Sequence, residues 1–89
     1  MDRTGAPSYH SGMIEISETL DARGLLCPLP VLKARKRLQS LPRGAVLQVW
    51  ADDPAAVIDV PHFCNEAGHG LLSQDERDEM QVYLIRKGG

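Results

Sequence analysis

The chain has 89 residues, a net charge of −2 at pH 7 and 43% hydrophobic residues. That is the length of one domain, able to bury roughly 60–65% of its unfolded surface, so a core forms without covalent staples. Its two cysteines are too few for a disulfide framework, no apolar run approaches the ~20 residues that span a bilayer, and no signal-peptide pattern is present. Disulfide scaffolds and membrane-spanning proteins are thereby set aside, and a reducing cytosol is the expected compartment.

In chain order, Met1 to Gly12 are rich in Ser, Gly and Pro and lack periodicity, which reads as a flexible tail. Met13 offers an alternative start, so the tail is taken as 1–13 and the folded domain as 14–89. A strand follows near Ile16 to Ala22, then a helix over Pro28 to Leu41, a turn at Pro42-Arg43-Gly44 and a strand over Ala45 to Ala51. A second helical region opens at Asp53-Pro54 and stops at Gly68, where glycine suits the left-handed residue after a helix. Leu71 to Gln74 and Met80 to Arg86 read as two strands separated by the acidic turn Asp75-Glu76-Arg77-Asp78.

The order is βαβαββ. Right-handed crossovers put both helices on the same side of the sheet, giving a two-layer α/β (α+β) sandwich with a four-stranded mixed sheet. Two stripes at matching spacing support one covered face: Val31, Ala34, Leu38 and Leu41 in the first helix, and Val57, Val60, Cys64 and Ala67 in the second. Pro61 falls inside the second helix, where it lacks the amide that would bond the Val57 carbonyl. A break is expected there, with Asp59 capping a restarted segment.

The chemistry concentrates at Cys27-Pro28-Leu29-Pro30. Proline is tolerated in a first helical turn because the amides there have no intrahelical partner. Pro28 and Pro30 therefore mark the helix start, with Cys27 as N-cap, Pro28 at N1 and Pro30 at N3. A sulfur in that place faces the positive end of the helix dipole, which lowers its pKa. With proline at N3 only the Leu29 amide remains to hold it, so the thiolate is charged and free. A cap of purely structural purpose is more usually Ser, Thr, Asp or Asn. No Cys-x-x-Cys is present, so no neighbouring thiol resolves a mixed disulfide. Such a thiolate suits covalent carriage: it takes up a group, holds it and hands it on.

Cys64 lies on the apolar stripe and reads as a buried, inert thiol. His10, His62 and His69 are scattered and neither cysteine has a paired ligand spacing, so neither metal nor cofactor is expected. The first two strands run parallel, which sets Cys27 and Asp52-Asp53 along one sheet edge, where sites form in open α/β sheets. Asp53 before Pro54 is explained as a cap. Asp52 is left to steer a partner or a proton, since a nearby carboxylate raises a thiol pKa rather than activating it. Asp21, Arg23 and Gly24 shape the loop before Cys27, with Arg23 free to bond backbone or to stabilise a sulfur anion.

The first helix also carries Lys33, Arg35, Lys36 and Arg37. Charge runs usually mark a solvated face. Leu29, Leu32, Lys33 and Lys36 share the side away from the apolar stripe, however, and leucines beside lysines next to a reactive thiol suit a docking surface.

Leu20-Asp21-Ala22-Arg23-Gly24-Leu25-Leu26-Cys27-Pro28-Leu29-Pro30, Ala51-Asp52-Asp53-Pro54, Asp59-Val60-Pro61-His62-Phe63-Cys64 and Tyr83-Leu84-Ile85-Arg86-Lys87-Gly88 together resemble the TusA (SirA-like) sulfur-carrier proteins. The likeness covers about residues 18 to 88. It implies a sulfurtransferase acting as a persulfide carrier, with Cys27 taking sulfane sulfur from a cysteine desulfurase or rhodanese-like donor and passing it to a downstream relay protein. The best-matching branch feeds 2-thiouridine formation in tRNA, while related members serve sulfur oxidation or cofactor biosynthesis. No direct contact with nucleic acid or membrane is expected, and the protein is expected to be a monomer. One alternative is a non-catalytic regulatory or nucleic-acid-binding module using the basic helix, which leaves Cys27 without a role and lacks an aromatic platform. Another takes Gly88-Gly89 as the thiocarboxylate tail of a ubiquitin-like carrier, against which the Cys-Pro motif and the helix order stand.

Overall fold

The computed structural model describes residues 14–89; the expected tail lies outside the described residues. The elements run β1 (Glu18–Asp21), α1 (Leu29–Gln39), β2 (Val46–Ala51), α2 (Ala56–Ala67), β3 (Gly70–Arg77) and β4 (Met80–Arg86). The sheet order is β1-β2-β4-β3, with β1 parallel to β2 and both other pairings antiparallel. This is the expected two-layer βαβαββ arrangement with a four-stranded mixed sheet.

Strand alternation decides the layers, because successive side chains point to opposite faces. Leu47 pairs with Ile85 and Val49 with Tyr83, and all four are fully buried. They form one core with Leu20 and with Ala34 and Leu38 of α1 and Val60, Phe63 and Cys64 of α2. Val31, Leu41 and Ala67 pack at its margin, which leaves one difference from the expected stripes: Val57 is exposed and Ala56 and Phe63 take the inward positions. The inward arc of α2 is thus rotated from the one its first valine suggests.

The expected break in α2 is absent, since the helix runs through Pro61 without interruption. The carbonyl that the proline leaves free, that of Val57, accepts from the Gln74 side-chain amide of β3 at 3.4 Å. Asp59 accordingly caps nothing and sits inside the first turn. At the other end the helix stops as expected, at Gly68 with φ 78°.

The hairpin also differs from its expected form. β3 continues to Arg77, opposite Met80, so Asp75 and Glu76 lie in the strand and the turn is Asp78-Glu79 alone. Both turn residues have positive φ, 48° and 66°, as a two-residue hairpin matching strand twist requires.

Lys87, just past β4, closes the C-terminal end of α1. Its ammonium donates to the carbonyls of Leu38 at 2.7 Å and Leu41 at 3.0 Å, where a cation meets the negative end of the helix.

Candidate functional site

The parallel pairing of β1 and β2 brings the loops after both strands to one edge, and that edge holds the thiol. Gly24, with φ 85°, turns the first loop. Its amide donates to Asp52 Oδ1 at 3.0 Å. The Cys27 amide donates to Asp53 Oδ2 at 2.6 Å, while the same carboxylate accepts the Ala55 amide at 3.3 Å. Asp52 and Asp53 therefore fasten the thiol loop to the end of β2. The loop hold gives Asp52 a structural task beside the steering expected of it.

A buried chain of polar groups continues inward from this clasp. The Gln81 side-chain amide donates to the Asp53 carbonyl at 3.2 Å, and the Tyr83 hydroxyl donates to Gln81 Oε1 at 2.8 Å. Burial and, secondarily, the charge of Glu76 push the tyrosine pKa up to about 12, so the hydroxyl stays a donor. The position of the Cys27 loop is linked in this way to the centre of the sheet.

Arg23 does neither of the two things its sequence position allowed. Its guanidinium grips Asp21 through two 2.8 Å contacts and lies 5.2 Å from the centre of the Trp50 ring. The pairing holds the Asp21 carboxyl down at about 2. Both residues shape the loop and leave the sulfur alone.

Helix α1 begins one step later than the sequence suggests. Pro28 is its cap, Leu29 its first residue and Pro30, buried, its second, with no side-chain cap bond. The Cys27-Pro28 peptide bond is cis. Cys27 stands just outside the helix, exposed, and its thiol donates to Asp59 Oδ2 of α2 at 2.6 Å. That hydrogen bond, then partial desolvation, then the charges of Asp59 and Asp53, push the thiol pKa up from its ordinary value. The expected lowering by the helix dipole is overturned: a full negative charge in contact outweighs about half a positive charge one residue further away. The sulfur is tied to Asp59 rather than free.

Asp59 is the site residue that sequence reasoning placed wrongly, as a cap. A usable signal existed, because Asp59, His62, Phe63 and Glu66 fall at i, i+3, i+4 and i+7 and so share one helix face. With Cys27, Pro28, Val31 and Arg35 they line an open groove of about 380 Å³ between α1 and α2. Arg35 lies 5.7 Å from the Phe63 ring centre.

The rim of this edge is apolar. Leu26 is 69% exposed, Leu29 45%, Leu32 48% and Ile58 75%, and Leu26 and Ile58 directly neighbour the contacting Cys27 and Asp59 in the chain. Lys33 and Lys36 are exposed on the outer side of α1. His62 is exposed as well, whereas His69 packs against Phe63 and accepts the Gly88 amide at 3.0 Å. Cys64 is buried, and its surroundings push its pKa to about 11. Among the described residues no group of three His, Cys, Asp or Glu side chains converges to hold a metal ion, and no helix is long and apolar enough to cross a membrane.

The architecture agrees with two comparisons. A SirA-like protein from Desulfitobacterium hafniense superposes with a TM-score of 0.72 at 28% identity, over 81% of this chain and 99% of that one. The sequence profile of the family described as Sulfurtransferase TusA matches residues 18–87. A match over that span, which takes in β1, the thiol loop and every element after it, means that the chain belongs to the TusA sulfurtransferase family.

Proposed function

We propose that Cys27 accepts sulfane sulfur as a persulfide from a cysteine desulfurase or rhodanese-like donor and relays it to an acceptor protein, serving 2-thiouridine formation in tRNA. The observation that carries this reading is the setting of Cys27: an exposed thiol, with the chain's other cysteine buried in the core. No second sulfur can close on it, so a group loaded there leaves only to another molecule. In loading, the Cys27 sulfur attacks the outer sulfur of the donor's R–S–SH. A new S–S bond forms, the donor's S–S bond breaks with its electron pair staying on the donor sulfur, and the proton of Cys27 ends on the donor thiol. The next transfer is the same reaction with Cys27 as the leaving group.

Docking at the thiol edge falls to Leu29, Leu32, Lys33 and Lys36, with Asp52 on the acidic side. Exposed leucines so close to a reactive atom have no role in the core and suit a partner's apolar surface. The tRNA branch is favoured by the set of motifs from Leu20 to Gly88. A carrier thiol with no disulfide partner belongs in a reducing cytosol. Intact mass spectrometry after incubation with a cysteine desulfurase and cysteine tests the reading: one sulfur is gained, it is lost on reduction, and prior alkylation blocks it. A desulfurase-competent mixture that adds no sulfur to the protein sinks it.

A further inference from the structure

An acidic residue in the first turn of a helix is ordinarily explained by the helix dipole, and Asp59 occupies such a place in α2. Its contact is of a different kind. Asp59 Oδ2 lies 2.6 Å from Cys27 Sγ, and an ionised carboxylate can only accept, so the thiol must donate. The bond therefore exists only while the sulfur carries its hydrogen.

Loading removes that hydrogen. In Cys27–S–SH the inner sulfur has two covalent partners, carbon and sulfur, and nothing left to donate. Persulfides are also stronger acids than the thiols they come from, so the loaded group presents an anion beside the same carboxylate. The other groups facing the sulfur do not reverse this. Asp53 adds a second carboxylate, bonded to the Cys27 amide. From α1, Arg35 turns to the Phe63 ring, while His62 and Glu66 line the groove from α2. The contact is favourable in one state of the carrier and repulsive in the other.

We propose that Asp59 holds the unloaded Cys27 thiol protonated and so biases the carrier toward giving its sulfur away. The inference rests on the carrier reading. When an acceptor thiolate attacks the outer sulfur, the S–S bond to Cys27 breaks, its electron pair returns to Sγ, and a proton taken up there restores the bond to Asp59. A ligand can shift an equilibrium only by its differential interaction with the two states, and here that difference is one hydrogen bond kept or lost plus one repulsion.

The test uses the full chain and the glutathione persulfide/glutathione pair, which avoids protein docking. At a fixed ratio of the two, the loaded-to-unloaded ratio of Asp59→Asn, read by intact mass, is expected to exceed wild type by about tenfold, the scale of one hydrogen bond to a charged group. In parallel, the midpoint of the alkylation rate against pH should fall below that of wild type, which loss of a helix charge with no contact to the sulfur would not produce. Glu66→Gln, in the same groove, should move neither. If Asp59→Asn does not fold, Asp59→Ser is read by the same criteria. Wild-type values for both readouts in a folded variant overturn the proposal, as does an equal shift from Glu66→Gln. A wild-type protein that takes no sulfur from any persulfide overturns the carrier reading instead, and the alkylation midpoint still decides whether Asp59 holds the proton.

Discussion

The loop that carries Cys27 and the core face of α2 that carries Cys64 both raise a thiol above its ordinary pKa, and they do so by different means. Cys64 is raised by burial, a condition that only unfolding or repacking reverses. Cys27 is exposed and raised first of all by one carboxylate, a condition that a partner's cation or a single substitution reverses. The same direction of shift therefore marks an inert sulfur in one region and a conditional one in the other. Exposure and the identity of the cause separate them; the value alone does not.

The sharpest way to break this contrast is to exchange the sulfur itself. Cys27→Ser should abolish sulfur loading altogether and leave stability within about 0.5 kcal/mol of wild type, as for a surface change that spares structural bonds. The serine hydroxyl can still donate to Asp59, and the backbone bond to Asp53 is untouched. Intact mass after desulfurase treatment, with a denaturant melt alongside, checks both halves. Any loading at wild-type level would move the carrier sulfur away from Cys27.

Cys64→Ala should give the opposite pair of results. Removing a fully packed sulfur leaves a small cavity and should cost about 1–2 kcal/mol, with loading of Cys27 near wild type. Loss of loading in a folded Cys64→Ala protein would make the core thiol part of the relay and end the contrast.

Much of this was legible in the sequence because it depends on neighbours or on topology. Glycine at 68 and the proline pair at 28 and 30 speak locally, and the parallel β1–β2 pairing brings Cys27 and Asp53 to one edge without any side chain being seen. What escaped the sequence depends on contacts between distant residues. Pro61 does not break α2 because Gln74, on β3, serves the freed Val57 carbonyl. Asp59 reads as a cap until it is seen to lie against a sulfur 32 positions away. Arg23 has a local answer, Asp21 two residues back, in the same loop that the Gly24–Asp52 bond fastens, and nothing in the spacing alone chose it over the backbone or the sulfur. The hairpin turn at Asp78-Glu79 has no glycine to announce its positive φ values, so its two-residue length showed only in the strand register.

A smaller effect separates the two thiols by pH. A group whose folded pKa is raised contributes stability that is complete below its unfolded value and fades as pH climbs through the folded one. For Cys64 that window runs from 9.0 to about 11, so the urea midpoint should decline across it. Cys64→Ala should make the early part of the decline shallower, with the raised Cys27 thiol keeping its own share and the later part falling mainly to Tyr83, whose window runs from 10.0 to about 12. An unchanged slope between pH 9 and 10 would mean that the unfolded thiol gains nothing by ionising, and that Cys64 is less enclosed than its packing against the core indicates.

The smallest expected effect concerns the approach of partners to the exposed thiol. Lys33 and Lys36 lie exposed on the outer side of α1, near Leu29 and Leu32, and do not line the groove that holds Sγ. Rim charges act mainly on association rate, so the double change Lys33→Glu, Lys36→Glu should leave alkylation of Cys27 by a small reagent unchanged while slowing desulfurase-driven loading by roughly three- to tenfold at low salt. The wild-type rate should fall as salt is added, since the screening length is only about 10 Å at 0.1 M, and the two proteins should converge. Loading followed across a salt series for both proteins gives the comparison directly. Equal rates at low salt would take this face of α1 out of the encounter and leave the acidic edge at Asp52 as the surface that partners meet.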